Sequence, residues 1–493
     1  MSDPEEAEIC AWFGSRSDRA IDTACAHVFL GKDAAWKMKR HVDLGYADFS
    51  TLERRRWALD RELDFNRIAA PDIYRAVRRI TREADGGLAM EGEGRTVDHV
   101  LEMRRFDDDA VLAAHPAAID GDLADALGRT IAGFHARAPL RPEGGWSAMA
   151  FTVESNARLL RELAPRLGAA RVETMIALTA DELARQAPLL KARTAQGFAR
   201  RCHGDLHLGN ILVEAGRPIL FDCIEFNDLL SDLDVLFDLA FLLMDLDFRD
   251  RRDAGVRVLS AYLDEAARVF PAALWEGLAA LPLMLSVRAG VRAHVAAHSQ
   301  DDALAKAYIE AAIAHLAPAP PRLAAVGGLS GTGKSTFSRR IAPALGAAPG
   351  AVVIRTDEVR KRLLKVPPFE RLPASAYVGD LYARSYDTLV ENARTLLKAG
   401  HGVVLDATFI DPALRARVEQ LAVDCGVPFD GVWLDAPLDV LEARVASRTN
   451  DASDATIETL QDQLARHTSQ VAWRRVDASA DVDAAARGWL KGA

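Results

Sequence analysis

Hydrophobic positions in the first part of the chain follow a two-residue period. They alternate along Ala26-His27-Val28-Phe29-Leu30 and again along Ala34-Ala35-Trp36-Lys37-Met38-Lys39, with Gly31-Lys32-Asp33 between, which predicts a β-hairpin. Over residues 50–68 the spacing changes to that of a helix, with Leu52, Trp57, Leu59, Leu63 and Phe65 as its apolar stripe and Pro71 as its stop. Short strands are expected across 72–106. Helical periodicity dominates 119–137, 155–190 and 254–316, leaving an island of strand and loop at 202–228. The pattern is a small β-rich lobe at about 20–106 followed by a helical lobe at about 107–317.

Leu316-Ala317-Pro318-Ala319-Pro320-Pro321 then interrupts the pattern, because its prolines lack backbone donors and cannot continue a helix. A domain boundary is expected here, with 1–317 before it, a short stiff connector at 318–321 and a second domain over 322–493. Beyond the seam, apolar strands at 323–327, 352–356, 402–407 and 431–435 alternate with helical stretches at 336–345, 376–399, 418–425 and 438–447. Such alternation predicts a parallel sheet covered by helices. The expected fold class is therefore a multidomain chain, α+β first and α/β second.

Composition agrees with folded domains. The chain has 493 residues, 49% hydrophobic and 27% charged, enough apolar material for more than one core. Its formal net charge of −10 argues against a broad nucleic-acid footprint. The start, Met1-Ser2-Asp3-Pro4-Glu5-Glu6, has neither the basic residues nor the apolar run of a secretory signal. The most apolar stretch, 273–287, contains Glu276 and is short for a bilayer. Cys10, Cys25, Cys202, Cys223 and Cys425 show no paired or metal-binding spacing, as expected of a cytoplasmic protein.

Two segments carry recognisable chemistry. In His203-Gly204-Asp205-Leu206-His207-Leu208-Gly209-Asn210 a carboxylate precedes a carboxamide by five residues, and Asp222 ends the apolar run Pro218-Ile219-Leu220-Phe221. Phosphoryl transfer needs a carboxylate beside the acceptor hydroxyl and oxygen ligands for Mg²⁺. Asp205 is the candidate base, and Asn210 and Asp222 are candidate metal ligands. His203 and His207, lacking further ligand spacing, read as residues that order this loop.

With these motifs, residues 20–315 resemble the aminoglycoside phosphotransferase family, which has a bilobal protein-kinase-like fold and phosphorylates small hydroxyl compounds. The resemblance implies that Lys37 on the third strand pairs with ATP phosphates and that a helix glutamate holds it, Glu62 by preference and Glu53 in reserve. It also allows the acidic run Glu225, Asp228, Asp232, Asp234, Asp238, Asp245, Asp247 and Asp250 to receive a cationic substrate. The alternative for Asp228, Asp232 and Asp234 is that they cap helices or brace the 203–210 loop.

The second segment, Gly328-Leu329-Ser330-Gly331-Thr332-Gly333-Lys334-Ser335, is a complete Walker A loop between a predicted strand and a predicted helix. Backbone N–H groups along Gly328, Ser330, Gly331, Thr332, Gly333 and Thr336 are placed to surround phosphate. Lys334 reaches the β- and γ-phosphates, and Ser335 is a candidate Mg²⁺ ligand. Residues 322–493 are similar to small P-loop kinases of metabolites and nucleic-acid ends. That similarity implies Asp357 as the activator of the acceptor hydroxyl, Asp406 as a Walker B carboxylate and metal ligand, and Arg444 and Arg448 as lid arginines beside a lid loop at 449–454. Arg360 or Arg362 is then a candidate contact to acceptor or phosphate.

The whole resembles a bifunctional fusion of an aminoglycoside phosphotransferase-like domain with a P-loop kinase. Its implied cofactors are ATP and Mg²⁺, and its implied partners are small-molecule hydroxyl acceptors, with no membrane. Two alternatives stand beside this reading: one module catalytic and the other a regulatory binding module, or a nucleic-acid end kinase.

Overall fold

The computed structural model describes residues 3–44, 47–447, 452–467 and 470–491. The chain opens with α1 (Pro4–Gly14), whose first turn is capped by the Asp3 side chain. Strands β1 (Arg19–Asp22), β2 (Ala26–Leu30) and β3 (Ala34–Lys39) follow, with β2 and β3 joined as the expected hairpin. After α2 (Leu52–Ala69) come β4 (Tyr74–Arg82), β5 (Leu88–Met90) and β6 (Arg95–Arg104). These six strands form one sheet in the order β1-β2-β3-β6-β4-β5.

The two-residue period decides what lies on each face of this sheet. Phe29, Met38, Ile80 and Val100 bury against Ile9 and Phe13 of α1. Leu30, Ala35, Tyr74 and Leu101 bury against Leu59 and Leu63 of α2. Lys37 and Lys39 share parity with Ala35 and so face α2. Trp57, read from the sequence as part of the helix's apolar stripe, is instead 51% exposed. The Arg61 guanidinium lies over its ring, 4.6 Å from the centroid, which gives the indole a partner at the surface.

The helical part contains α3 (Gly121–Arg137), α4 (Trp146–Leu167) and α5 (Ala169–Ala195). The single helical stretch expected at 155–190 is two helices, parted at Gly168, whose φ of +100° no ordinary helix residue adopts. Then β7 (Ala199–Arg201) leads into a loop with a 3₁₀ turn at Leu208–Asn210, followed by the hairpin β8 (Ile211–Glu214) and β9 (Arg217–Leu220). α6 (Asp228–Ser231) precedes β10 (Asp232–Asp234), which pairs antiparallel with β7.

α7 (Val235–Phe248) lies where the sequence reading saw only an acidic run. Every residue from Val235 to Leu246 is buried, so the helix has no polar face and no amphipathic period by which to read it. α8 (Arg252–Ala266), α9 (Ala273–Glu276), α10 (Leu281–His298) and α11 (Asp302–His315) complete this part. The apolar stretch read as ending near 287 continues to His298. Ala273–His298 is long and apolar enough to cross a bilayer, yet 78% of its most apolar window is buried inside the protein.

The second half begins with β11 (Leu323–Gly328) and α12 (Lys334–Ile341), then β12 (Val352–Arg355), α13 (Thr356–Leu363) and α14 (Gly379–Lys398). β13 (Val403–Asp406), α15 (Pro412–Cys425), β14 (Phe429–Asp435), α16 (Leu438–Ala446), α17 (Ile457–Arg466), β15 (Arg474–Asp477) and α18 (Val482–Leu490) follow. The five strands run parallel in the order β12-β13-β11-β14-β15, with helices covering them as the alternation predicts. The edge strand β12 docks on α8, where the Val353 N–H donates to Ser260 Oγ at 3.0 Å. Arg339 of α12 meets Asp125 of α3 at 3.1 Å, and Arg362 of α13 pairs with Asp264 of α8.

The start of α7 is fixed by a buried ion pair. Asp234 accepts the Leu236 N–H at 2.9 Å and takes two bonds from the Arg193 guanidinium, at 2.8 and 3.0 Å. Arg193 also donates to the Ala273 carbonyl at 3.0 Å. Arg193→Ala leaves the Asp234 carboxylate buried without its cation, and is expected to lower the unfolding free energy by roughly 3–5 kcal/mol in urea titrations. A loss below about 1 kcal/mol, the scale of an exposed pair, would show that Asp234 finds another partner.

Candidate functional site

The first constellation forms where the β-lobe meets the helical part. Thr51 caps α2, and the buried Leu59 and Leu63 hold it against the sheet, so that Glu62 projects fully buried toward β3. Lys37 Nζ donates to Glu62 Oε1 at 2.7 Å and to Asp222 Oδ1 at 2.6 Å. Lys39, one pleat further along the same face, lies 2.7 Å from Glu62 Oε2 and donates to Glu225 Oε1 at 2.6 Å. Glu53, the reserve partner for Lys37, sits exposed in the first turn of α2.

Burial pushes the Glu62 carboxyl up, but Lys37 and then Lys39 pull it down to about 2. Burial lowers both ammonium groups, and their acidic neighbours more than reverse this, Asp222 first for Lys37 and Glu225 first for Lys39. Glu225 itself is held above its ordinary value, because burial outweighs Lys39. Sequence reasoning left Lys39 unassigned and read Glu225 only as the first member of the acidic run, whereas here it is the partner of Lys39. The alternation Lys37-Met38-Lys39 on a predicted strand was the available signal.

Asp222 adopts a left-handed backbone, φ +62°, immediately after the β8–β9 hairpin. Its N–H donates to Tyr74 Oη at 2.9 Å, and the Cys223 N–H donates to Asn66 Oδ1 of α2 at 2.8 Å. The loop is thus pinned to the β-lobe on both sides of a strained residue.

Asp205 and Asn210 meet directly, as Asn210 Nδ2 donates to Asp205 Oδ2 at 2.9 Å. That bond turns the amide oxygen away from Asp205. Burial raises the Asp205 carboxyl, but His207, 3.4 Å away, His203 and Arg292 together take it well below the usual carboxylate range. It is an ionised hydrogen-bond acceptor, about 37% exposed. His203 Nε2 lies 2.8 Å from the Phe221 carbonyl, and its Nδ1 accepts the Asp205 N–H at 3.3 Å. His207 Nδ1 accepts the Gly209 N–H at 2.9 Å. Both histidines therefore order the loop.

The loop is braced from beneath by α7. Asp238 accepts the His203 N–H at 3.0 Å and the Gly204 N–H at 2.8 Å, and His135 Nε2 lies 3.0 Å from the same carboxylate. Two turns further on, Asp245 accepts the Leu208 N–H at 3.1 Å. Gly204 has φ +87°, and a Cβ there would come within 2.6 Å of the Leu230 carbonyl. Three further acids of the run pair with arginines: Asp228 with Arg61 and Arg201, Asp232 with Arg141 and Arg201, Asp234 with Arg193. Of the structural roles expected for these three, Asp234 caps α7 through the Leu236 N–H, while Asp228 and Asp232 pair with arginines.

The second constellation lies at the carboxyl ends of the parallel strands. β11 delivers Gly328 with φ +144°, and Gly331 and Gly333 follow with φ +89° and +86°, so the loop closes in conformations open to glycine. Gly333 caps α12, which starts at Lys334. Ser335 Oγ donates to Asp406 Oδ2, 2.6 Å away at the end of β13. Lys334 Nζ and Thr332 Oγ1 each donate to the Leu329 carbonyl at 2.8 Å. The Ser330 N–H donates to Gln463 Oε1 of α17 at 2.8 Å, a contact that sequence reasoning missed. Thr336 is exposed on the first turn of α12.

Asp357 lies in the first turn of α13, where Arg360 reaches it at 2.8 Å and stacks over Tyr377, 4.4 Å from the ring centroid. Arg362 belongs to the contact with α8 instead. Arg444, expected as a lid arginine, has its guanidinium committed to the carbonyls of Ala478, Ser479 and Ala480 at 2.7, 3.1 and 3.0 Å. Arg448 and residues 449–451 of the expected lid lie outside the described residues. Asp454 fastens the following segment, accepting from Lys361 Nζ at 3.1 Å, the Leu372 N–H at 3.0 Å and Tyr377 Oη at 2.7 Å.

The depressed Glu62 gives a pH signature. Between its ordinary value of 4.5 and about 2, the unfolded chain binds a proton there and the folded chain does not, so its contribution to stability is present above that window and is lost on acidification through it. Chemical denaturation across this range is expected to show a shallower loss of stability for Glu62→Gln than for the parent. Parallel acid slopes would show that Glu62 is not held ionised by the lysines.

Residues 34–281 match the model of the phosphotransferase enzyme family, and residues 323–469 match that of an AAA domain. The uncharacterized protein Rv2004c of Mycobacterium tuberculosis is 34% identical over 475 residues, covering 92% of this chain and 91% of its own. An adenylyl-sulfate kinase of Myxococcus xanthus is 38% identical over 117 residues, which is 24% of this chain and 59% of that protein. Among solved structures, a choline/ethanolamine kinase family protein from Mesorhizobium loti is 15% identical with a TM-score of 0.35, covering 60% of this chain and 91% of that one. The chain belongs to the phosphotransferase enzyme family, with an AAA-type P-loop domain fused behind it.

Proposed function

We propose that the protein is an ATP- and Mg²⁺-dependent phosphotransferase whose two modules each move a γ-phosphate to the hydroxyl of a small molecule. One observation carries this reading for the first module. Two lobes bring Lys37, paired with the buried Glu62, to Asp222, while Asp205 and Asn210 are locked together on a loop braced by α7. In this reading Lys37 meets nucleotide phosphates, and ionised Asp205 orients the acceptor hydroxyl and takes its proton as the new O–P bond forms and the bond from the γ-phosphorus to the β,γ-bridging oxygen breaks, releasing ADP.

The donor sets suit a hard divalent cation. The first offers the Asp222 carboxylate and the Asn210 amide oxygen, and the second the Ser335 hydroxyl 2.6 Å from the Asp406 carboxylate. Bound Mg²⁺ would supply charge neutralisation on the phosphate oxygens. Asn210 serves twice, since the amide that holds Asp205 leaves its oxygen for the metal.

In the second module the Gly328–Thr336 loop would hold the nucleotide phosphates, with Lys334 swinging from the Leu329 carbonyl to a phosphate oxygen. Asp357 is the acceptor-side base, and Arg360 holds it ready. The likeness to a protein named as an adenylyl-sulfate kinase supports a small hydroxyl acceptor here.

Screening a metabolite library for ³²P transfer from γ-labelled ATP is expected to give two sets of labelled products. Asp205→Ala should remove one set, by roughly 10²- to 10⁴-fold, and Lys334→Ala the other. If Asp205→Ala leaves every product unchanged, the first module is not a phosphotransferase by this mechanism.

A further inference from the structure

Five charged side chains at the first site alternate in sign without a break. Glu225 meets Lys39, Lys39 meets Glu62, Glu62 meets Lys37 and Lys37 meets Asp222, at 2.6, 2.7, 2.7 and 2.6 Å. The two ends of this chain, Asp222 and Glu225, are three residues apart on one loop, so backbone closes it into a ring. Lys37 and Glu62 with Asp222 would suffice for the phosphate-binding role proposed above. The Lys39–Glu225 pair is additional, and it is buried, at 2% and 3% exposure.

A buried ion pair of this kind is a poor source of stability, because desolvating both charges costs about as much as their attraction returns. Its geometric effect is specific. Glu62 has two oxygens: Oε2 lies 2.7 Å from the Lys39 ammonium as an ion pair, and Oε1 accepts the hydrogen bond from Lys37. Among the described residues two acceptors meet Lys37, and an ammonium has three donors. Without Lys39, Glu62 would be free to turn both oxygens to Lys37 and draw it back toward α2. Glu225 in turn holds Lys39 in place, and the Arg61 Nε bond to the Glu225 carbonyl, 2.9 Å, ties that residue to α2 as well.

We propose that Lys39 and Glu225 are positioning residues of the first site: by taking half of Glu62 they hold Lys37 forward, with one donor directed to a nucleotide phosphate. The inference rests on the phosphotransferase reading of that site.

The test uses the full chain carrying Lys334→Ala, so that the second site does not mask the first, with Mg–ATP binding followed by calorimetry and folding by thermal melting. Lys39→Met combined with Glu225→Gln removes both charges and leaves no buried ion unpaired. A positioning role predicts Mg–ATP affinity weakened roughly tenfold, within the range of coupling in charge networks, with little change in melting. Lys39→Arg keeps the buried charge and tests position even if the double variant folds poorly; its planar fork should pull Glu62 differently and also weaken affinity. Unchanged affinity in either folded variant, alongside lost binding in Lys37→Met, overturns the inference and leaves the phosphotransferase reading standing. If the Lys334→Ala parent binds no Mg–ATP, the phosphotransferase reading fails and this inference with it.

Discussion

Burying a carboxylate in an apolar helix is the constraint on which the first half of this protein depends. Asp238 is fully enclosed on α7, and an isolated charge there would be prohibitively costly. It is tolerated because two backbone N–H groups of the 203–210 loop, together with His135, converge on it. The dependence runs both ways. The loop's amides at His203 and Gly204 are buried too, and without Asp238 they would lack partners. Asp245 repeats the arrangement at Leu208, so a single rigid helix sets the height and register of the segment that presents Asp205 and Asn210.

The fold was legible in the sequence where the relevant physics is local. A hairpin declares itself by alternation, and a phosphate loop by glycines between a strand and a helix, so β2–β3 and the 328–335 loop could be placed from a few residues each. The buried α7 could not, because a helix with no solvent face has no stripe, and its aspartates look like surface residues until their amide partners are known. The spacing of Asp238 and Asp245, seven residues apart in an otherwise apolar run, was the one sign that both face the same way. Trp57 shows the opposite failure. It falls on a helical stripe by spacing but lies outside, covered by Arg61 rather than by the core.

Arginine was the hardest residue to read, since composition offers many candidates and only geometry distinguishes them. Arg444 holds three carbonyls and Arg362 joins two halves of the chain, whereas Arg360 lies against Asp357. The lysines are more informative. Lys37 and Lys39 each lie between two carboxylates, Lys334 donates to a carbonyl of its own loop and Lys361 to Asp454, so each makes a specified contact with a buried or motif residue.

The junction between the halves follows from a general problem of open sheets. An edge strand presents unpaired amides and must be covered, and β12 is such an edge. α8 covers it, with Ser260 accepting one of those amides, while Asp125 on α3 receives Arg257 and Arg339 together. The same strand ends in Arg355, whose guanidinium lies 3.3 Å from Asp406 and 3.3 Å from Glu358. Asp406 is therefore held between the Ser335 hydroxyl and an arginine on the strand that the first half shields. The strand whose edge α8 covers thus carries the arginine that pairs with a carboxylate of the second site, which joins the packing of the two halves to the surroundings of Asp406.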